Sequence, residues 1–96
     1  MVQIVWSIGS LRDLHEIYTY IAKDSEFHAR IQIERIEFRV GLLERYPKLG
    51  KSLPEFHLWN YRELIVQPYR VIYRLSDDAR LATIVAIVHG RRLMFR

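Results

Sequence analysis

The spacing of hydrophobic residues changes along the chain and divides it into a helical first half and a strand-rich second half. β-Branched and aromatic residues at 2–6 predict a short first strand. Gly9 and Ser10 then break the pattern, and Ser10 followed by Asp13 is typical of a helix N-cap. Apolar residues recur at helical spacing as far as about Lys23, which predicts a first helix. They are Leu11, Leu14, Ile17, Tyr18, Ile21 and Ala22.

A second helix is predicted between Ser25, its expected cap, and Pro47, its expected end. Its main apolar stripe consists of Ala29, Ile33, Ile36, Val40 and Leu43. A second apolar row lies beside this stripe and consists of Ile31, Phe38 and Leu42. Because the link between the helices is short, we expect an antiparallel helical hairpin.

Three strands are predicted at about 60–67, 69–76 and 81–89, separated by tight turns at 67–68 and 76–79. Such short links favour an antiparallel meander. The nearly all-apolar run at 84–88 predicts that the last strand lies centrally. Residues 47–59 read as a loop that packs on the body, since it contains Phe56, Leu58 and Trp59. The expected fold is α+β, a single domain over 1–96 in the order β-α-α-β-β-β, with the hairpin packed on a small antiparallel sheet.

Length and composition exclude several classes of protein. A chain of 96 residues with 50% hydrophobic content fits one small globular domain. The absence of cysteine excludes disulfides and thiolate metal sites. The four histidines fall at no metal-ligand spacing, and no Gly-rich phosphate loop or nucleophile elbow is present. We expect no metal, no cofactor, no signal peptide and no membrane span, and therefore a cytoplasmic location.

Charge is unevenly distributed between the two halves of the chain. Residues 1–46 hold six basic and seven acidic side chains, whereas residues 47–96 hold nine basic and four acidic ones. The net charge of +4 therefore arises from the C-terminal half. This asymmetry favours a nucleic acid or an acidic protein as partner, and a generic basic surface kept for solubility is the alternative.

Arginines occur inside strands that are otherwise apolar. Side chains alternate along a strand, so Arg70 and Arg74 should share one face, where they could contact phosphate or an acidic partner. The alternative is that they cover apolar neighbours and pair with Glu63, Asp77 or Asp78. We expect the arginines of this half, including Arg62, to form a common exposed surface.

The last strand ends in His89-Gly90-Arg91-Arg92. Glycine there permits a sharp bend, and a histidine beside arginines could exchange protons near neutral pH. The alternative is a strand-end histidine bonded to backbone. The strand tyrosines Tyr61, Tyr69 and Tyr73 could stack on bases, although such residues are more often packing residues.

Taken in order, these segments resemble the RelE/ParE family of toxins from type II toxin–antitoxin modules, of the plasmid-stabilisation type. The resemblance covers nearly the whole chain. The matching segments are Leu11 to Ala22, Asp24-Ser25 with Ala29, Pro47-Lys48-Leu49-Gly50-Lys51, Pro54-Glu55, Tyr61-Arg62-Glu63-Leu64, Tyr69-Arg70-Val71-Ile72-Tyr73 and Val88-His89-Gly90-Arg91. The resemblance implies a growth-inhibiting toxin that a cognate ParD/RelB-like antitoxin silences.

Two targets occur in this family, and the resemblance implies different residues for each. A ParE-like toxin inhibits DNA gyrase without chemistry of its own, and the helical hairpin is more similar to that branch. Its target contacts would be Arg62, Arg74, Arg91 and Arg96. A RelE-like or YoeB-like toxin is a ribosome-dependent mRNA endonuclease without a metal. A degenerate partner that is no longer toxic is the third hypothesis.

Under the nuclease hypothesis, Glu55, Arg70 and His89 resemble the family's base, phosphate-binding cation and acid, and Arg92 resembles a further basic site residue. Two departures weaken this hypothesis. The tyrosine near the C-terminus of the family's nucleases is missing, and the lysine-rich second strand of RelE is reduced to Arg62.

The antitoxin is expected to contact two surfaces. The second apolar row of the second helix, formed by Ile31, Phe38 and Leu42, is the candidate docking site for a hydrophobic segment. The alternative is that a curved sheet buries both apolar rows. Arg62 and Arg70, together with Arg74 and Arg91, could receive an acidic antitoxin tail.

Overall fold

The helices and strands follow the predicted order in a computed structural model, which describes residues 1–53 and 60–90. Strand β1 spans Gln3–Trp6, and helices α1 and α2 span Ile8–Ala22 and Glu26–Gly41. A 3-10 turn at Leu42–Glu44 follows α2. Strands β2 to β5 span Lys51–Ser52, Tyr61–Val66, Tyr69–Leu75 and Leu81–His89. The α+β fold is confirmed. The predicted packing of Phe56, Leu58 and Trp59 lies outside the described residues.

The described strands form one sheet in the order β1-β5-β4-β3-β2. Strands β3, β4 and β5 make the predicted antiparallel meander. The sheet is nevertheless mixed, because β1 lies parallel to β5. Strand β5 is interior, as its apolar run predicts, but β4 is the strand at the centre. The short strand β2, which pairs with β3, falls within the segment predicted as loop.

The core lies between the helices and one face of the sheet, here called the inner face. Alternate residues of β4 point to it, so that Val71 and Tyr73 are fully buried. From the helices, Ile36, Val40 and Leu43 meet them, as the main apolar stripe predicts. The second apolar row is not covered: Ile31 is 38% exposed and Phe38 is 68% exposed. Burial of both rows is therefore wrong for these two residues.

Helix α1 begins earlier than predicted, because Ser7 rather than Ser10 is its N-cap. The Oγ of Ser7 accepts from the Ser10 N–H at 3.0 Å. The same hydroxyl donates to the Val85 carbonyl at 3.2 Å, and the Ser7 N–H donates to the Ile84 carbonyl. Ser10 is fully buried, and its hydroxyl donates to the Ser7 carbonyl at 2.8 Å. A contact with β5, 78 positions away, thus selects between two serines that local pattern cannot separate.

The contact of Ser7 with β5 coincides with a bulge. Ile72 pairs with Ala86 and Tyr73 with Ile84, so Val85 is the extra residue of β5. The bulge shifts the alternation by one position. Ile84 and Ile87 therefore both face the core, although they are three residues apart.

Helix α2 ends before the predicted stop at Pro47. Its α-helical part ends at Gly41, and the chain tightens into the 3-10 turn at Leu42–Glu44. This turn buries Leu43 completely, and it aims the Glu44 carbonyl at the Val2 N–H, which donates to it at 3.0 Å. The start of α2 is as predicted, because Ser25 Oγ accepts from the His28 N–H.

The buried Tyr73 hydroxyl ties the segment after α2 to the sheet. It donates to the Pro47 carbonyl at 2.8 Å and accepts from the Gly50 N–H at 2.9 Å. Arg62 reinforces the same segment by donating to the Gly50 carbonyl at 2.7 Å. A Cβ on Gly50 would lie 2.7 Å from Tyr73 Cε1 and 2.8 Å from the Glu63 carbonyl. This position therefore requires glycine for space.

We expect Gly50→Ala to lower the free energy of unfolding by about 1–3 kcal/mol, since the added methyl overpacks a contact with backbone. Gly41→Ala is the matched control, because a Cβ there meets nothing within 4 Å. Its helical position predicts unchanged stability or a gain of up to about 1 kcal/mol. Urea denaturation measures both, and equal effects of the two substitutions would contradict the packing argument.

Tyr73→Phe should cost about 1–3 kcal/mol at neutral pH, because it leaves the Gly50 N–H and the Pro47 carbonyl without their partner. Burial raises the pKa of the Tyr73 hydroxyl above its ordinary value of 10.0. The folded state holds this proton more tightly than the unfolded state does. The protonated Tyr73 hydroxyl therefore makes its full contribution to the free energy of unfolding below pH 10.0, and this contribution is lost as pH rises through the folded-state pKa. Denaturation across alkaline pH should show a shallower loss of stability in Tyr73→Phe, and an identical slope would refute this assignment. Tyr69, whose pKa burial also raises, would contribute to the slope that remains.

Candidate functional site

The face of the sheet turned away from the helices, here called the outer face, holds a cluster of charged side chains. Alternation along β4 places Arg70 and Arg74 there, as predicted. Glu63 joins them from β3, where it lies opposite Ile72. Lys51 of β2 lies directly opposite Glu63 and is exposed.

Arg70 forms an ion pair with Glu63. Its Nε donates to Glu63 Oε1 at 2.6 Å, and its Nη2 contacts the same oxygen. The two side chains are only 21% and 15% exposed. The alternative in which Arg70 pairs with a strand carboxylate is therefore confirmed, with Glu63 as the partner. Arg70 is a neutralised and partly covered cation.

Arg74 is exposed, and within residues 1–53 and 60–90 its side chain makes no hydrogen bond or ion pair. The other two predicted carboxylate partners are engaged elsewhere. Asp77 accepts from the Asn60 amide at 3.0 Å. Asp78 accepts from the Ser76 hydroxyl and from the Arg80 N–H. Both hydrogen bonds lower the pKa of the Asp78 carboxyl, and the one from Ser76 has the larger effect.

Arg62 belongs to the inner row of β3 and not to the outer face. Besides its bond to the Gly50 carbonyl, it lies 3.5 Å from the Lys48 carbonyl. Arg70 and Arg74 share the outer face, but the expected common exposed surface of strand arginines is wrong for Arg62, which lies on the inner row, and for Arg70, which is covered and paired with Glu63. The assignment of Arg62 to target and antitoxin binding stays a prediction.

His89 ends β5 on the row of Tyr69, opposite to the row of Arg70. The two rings meet edge to face, with centroids 5.7 Å apart. The strand ends in a turn at Gly90, whose N–H donates to the Pro68 carbonyl at 2.7 Å; the sharp bend expected there stays a prediction. Arg70, Glu63 and His89 nevertheless border one cleft of about 420 Å³ at the tip of the β3–β4 hairpin.

Four of the candidate residues are not part of this geometry, because Glu55, Arg91, Arg92 and Arg96 lie outside the described residues. Two of the three tyrosines are packing residues, as the alternative held. Tyr73 is fully buried and Tyr69 is 8% exposed. Tyr61 is half-buried on the outer row of β3.

A groove of about 660 Å³ runs between α2 and β3. Ile31 and Phe38 line it from the helix, and Ile65 and Val66 line it from the strand. Its rim carries Glu34, Arg35 and Arg39. Leu42 lies in the 3-10 turn, is half-buried, and does not line the groove. The structure thus brings together two of the three predicted docking residues.

A second cleft of about 810 Å³ lies between α1 and β5 and was not predicted. Asp13 forms part of the wall of this cleft. The Oδ2 of Asp13 accepts from the Ile87 N–H at 2.9 Å, at a part of β5 that β1 does not pair with. Gln32 of α2 also lines this cleft, and its amide donates to the Gln67 carbonyl at 3.4 Å. The sequence feature that could have identified Gln32 is its position as a polar residue next to the main apolar stripe of α2. Gln32 is only 9% exposed.

The described charges can bind an anion on the outer face, where Lys51 and Arg74 are exposed. Among the described residues, no group of three or more His, Asp or Glu side chains could hold a metal ion. No helix in those same parts of the chain is long and apolar enough to cross a membrane.

Comparison with known proteins places the chain among bacterial toxins. A family model for the ParE toxin of the type II toxin-antitoxin system parDE matches residues 4–94. Toxin RelE2 of Caulobacter vibrioides is 34% identical over 94 residues, which cover 97% of this chain and 100% of that protein.

Solved structures agree with the fold. A chain of the chromosomal ParDE system from P. aeruginosa superimposes with a TM-score of 0.74 at 21% identity, covering 93% of this chain and 96% of that one. A chain of the RelBE2 toxin-antitoxin complex from Mycobacterium tuberculosis gives 0.67 at 26% identity, covering 92% and 96%. The match to the family model over nearly the whole chain shows that this protein belongs to the ParE toxins of type II toxin–antitoxin systems, within the RelE/ParE family.

Proposed function

We propose that this toxin arrests growth by inhibiting DNA gyrase through protein contacts, without chemistry of its own, until a cognate ParD/RelB-like antitoxin binds it. The target contacts would be Arg74 on the outer face together with Arg62 and the basic positions Arg91 and Arg96. The family match supports the ParE branch. The names of relatives and structural neighbours include both ParE and RelE proteins, so the choice of target depends on the site.

The state of Arg70 is the observation that carries the proposal. Cleavage of RNA by its own 2′-hydroxyl needs a cation that is available to the crowded phosphate. The described strand cation in that position gives its Nε and Nη2 to Glu63. His89, the candidate acid, packs against Tyr69 on the other row of side chains. A binding toxin needs neither group at a reacting phosphate.

A ribosome-dependent mRNA endonuclease is the alternative, and one observation favours it. Arg70 and His89 border the same cleft of about 420 Å³ at the hairpin tip. In this mechanism Glu55 would accept the 2′-hydroxyl proton, Arg70 and Arg92 would stabilise the phosphate, and His89 would protonate the leaving oxygen. No metal would take part.

The two functions are separated by testing the purified chain on gyrase and on translated mRNA. We expect inhibition of supercoiling and accumulation of cleaved DNA in the presence of gyrase, and intact message by primer extension. Codon-linked cuts that vanish in Arg70→Ala and His89→Ala would overturn the proposal in favour of the nuclease. Expression without any arrest of growth would favour a degenerate, inactive partner.

We propose that the antitoxin docks a hydrophobic segment in the α2–β3 groove. Phe38 is 68% exposed and faces Ile65 and Val66 across it. An amphipathic helix with apolar anchors fits such a groove, and the rim arginines Arg35 and Arg39 suit acidic residues on its flanks. The other candidate antitoxin contacts do not line this groove; they are Leu42, Arg62 and Arg70.

Phe38→Asp should weaken binding of the antitoxin encoded beside the toxin by at least about 30-fold, because it places a charge in the apolar centre of the contact. Phe27→Asp is the matched control, since Phe27 is 64% exposed near the start of α2 and does not line the groove. Calorimetric titration measures both, and antitoxin co-expression should rescue growth only in the control. Equal affinities of the two variants would exclude the groove as the docking site.

A further inference from the structure

We infer that Glu63 sets how strongly the outer face binds a nucleic-acid phosphate backbone, by competing with phosphate for the guanidinium of Arg70. Glu63 acts here as a specificity-determining residue and touches no reacting group. The inference goes beyond the choice of target, because an enzyme–DNA complex and a translated message both present phosphates.

The charges of the outer face support this role. Its described cations are Lys51, Arg70 and Arg74, and Glu63 is the carboxylate among them. Cross-strand register places Glu63 directly opposite Lys51 and diagonally next to Arg70. A single carboxylate therefore lies between two cations of a face that would otherwise attract polyanions.

The geometry of the pair makes the competition direct. Nε and Nη2 of Arg70 both contact Glu63 Oε1. This edge is one of the two through which a guanidinium meets phosphate oxygens with paired N–H donors, and the second edge shares Nη2 with it. Glu63 and a phosphate cannot occupy this edge together, so the face binds with one cation fewer while the pair is closed.

A phosphate can displace Glu63 from Arg70, because Lys51 lies directly opposite Glu63 and offers its carboxylate a second cation. Both members of the pair border the hairpin-tip cleft and are partly exposed, so solvent and ligand reach them. Because the two side chains are only 21% and 15% exposed, the pair is closed in the free protein, and a phosphate must displace Glu63 to reach this edge of Arg70. Lys51, directly opposite on β2, can neutralise Glu63 once Arg70 turns to a phosphate.

The experiment measures binding of a fluorescein-labelled thymidine homopolymer to the purified 96-residue chain by anisotropy, over a range of salt concentrations. We expect Glu63→Gln to tighten binding by about three- to tenfold and to steepen the dependence of log K on log salt by about 0.7, one additional phosphate contact. In the Arg70→Ala background, the same substitution should tighten binding by a clearly smaller factor, because Arg70 is missing and only Lys51 is left for Glu63 to neutralise.

Two further variants separate this effect from net charge and from misfolding. Asp77→Asn makes the same change in net charge outside the pair and should leave the salt slope unaltered. Glu63→Asp keeps the charge but shortens the side chain by one methylene, so it should also release Arg70 and tighten binding. Circular dichroism and thermal unfolding check that each variant folds.

Equal tightening in Asp77→Asn, or no tightening in folded Glu63→Gln and Glu63→Asp, would overturn the inference. Tightening by Glu63→Gln that persists in full in Arg70→Ala would overturn it as well. Because neither gyrase nor ribosomes are present, a failure here is distinct from a failure of the proposed function.

Discussion

The alternation of side chains along the central strand β4 is the constraint on which the rest of the molecule depends. Val71 and Tyr73 point into the core and are fully buried, whereas Arg70 and Arg74 point to the outer face. The inner row holds the helices, and through the Tyr73 hydroxyl it also holds the segment that follows α2. The outer row supplies the charges of the candidate site. A slip of one residue in this strand would exchange the two roles and expose the core.

Several arginines of the sheet are bound by other groups of the same chain. The basic half of the chain does not present its guanidinium groups uniformly. Arg62 is used to hold the backbone of Gly50, and Arg70 is held by Glu63. Arg74 remains available on the outer face. A cation that is paired with a carboxylate contributes little to the attraction of a polyanion, so the total charge of this half overstates the number of cations that are available.

The apolar groove and the charged outer face are separate surfaces that meet at the β3–β4 hairpin. Ile65 borders both the α2–β3 groove and the hairpin-tip cleft, and Gln67 does the same. Gln32 anchors this hairpin to α2. A partner seated in the groove therefore lies next to the charged site, which gives an antitoxin a direct steric route to the outer face.

Particular residues show how far sequence reasoning reached. The resemblance to RelE/ParE toxins, the element order and the Ser25 cap followed from short-range patterns and motif order. The exposed row of Ile31 and Phe38 was recognised, although its exposure competed with burial in a curved sheet. The structure shows that this row is exposed, since the sheet covers only the main apolar stripe of α2.

The sequence by itself determined the periodicity, the turns and the polarity of each strand face, because these depend on residues that are close along the chain. The tertiary structure alone decided that Ser7 caps α1, that α2 tightens at Leu42, that Glu63 holds Arg70 and that Arg62 turns inward. Each of these outcomes depends on a partner on another element, such as Val85 for Ser7 or Gly50 for Arg62. Which distant hydrogen-bonding group meets which side chain depends on the exact packing and register of the elements, which the local pattern does not specify.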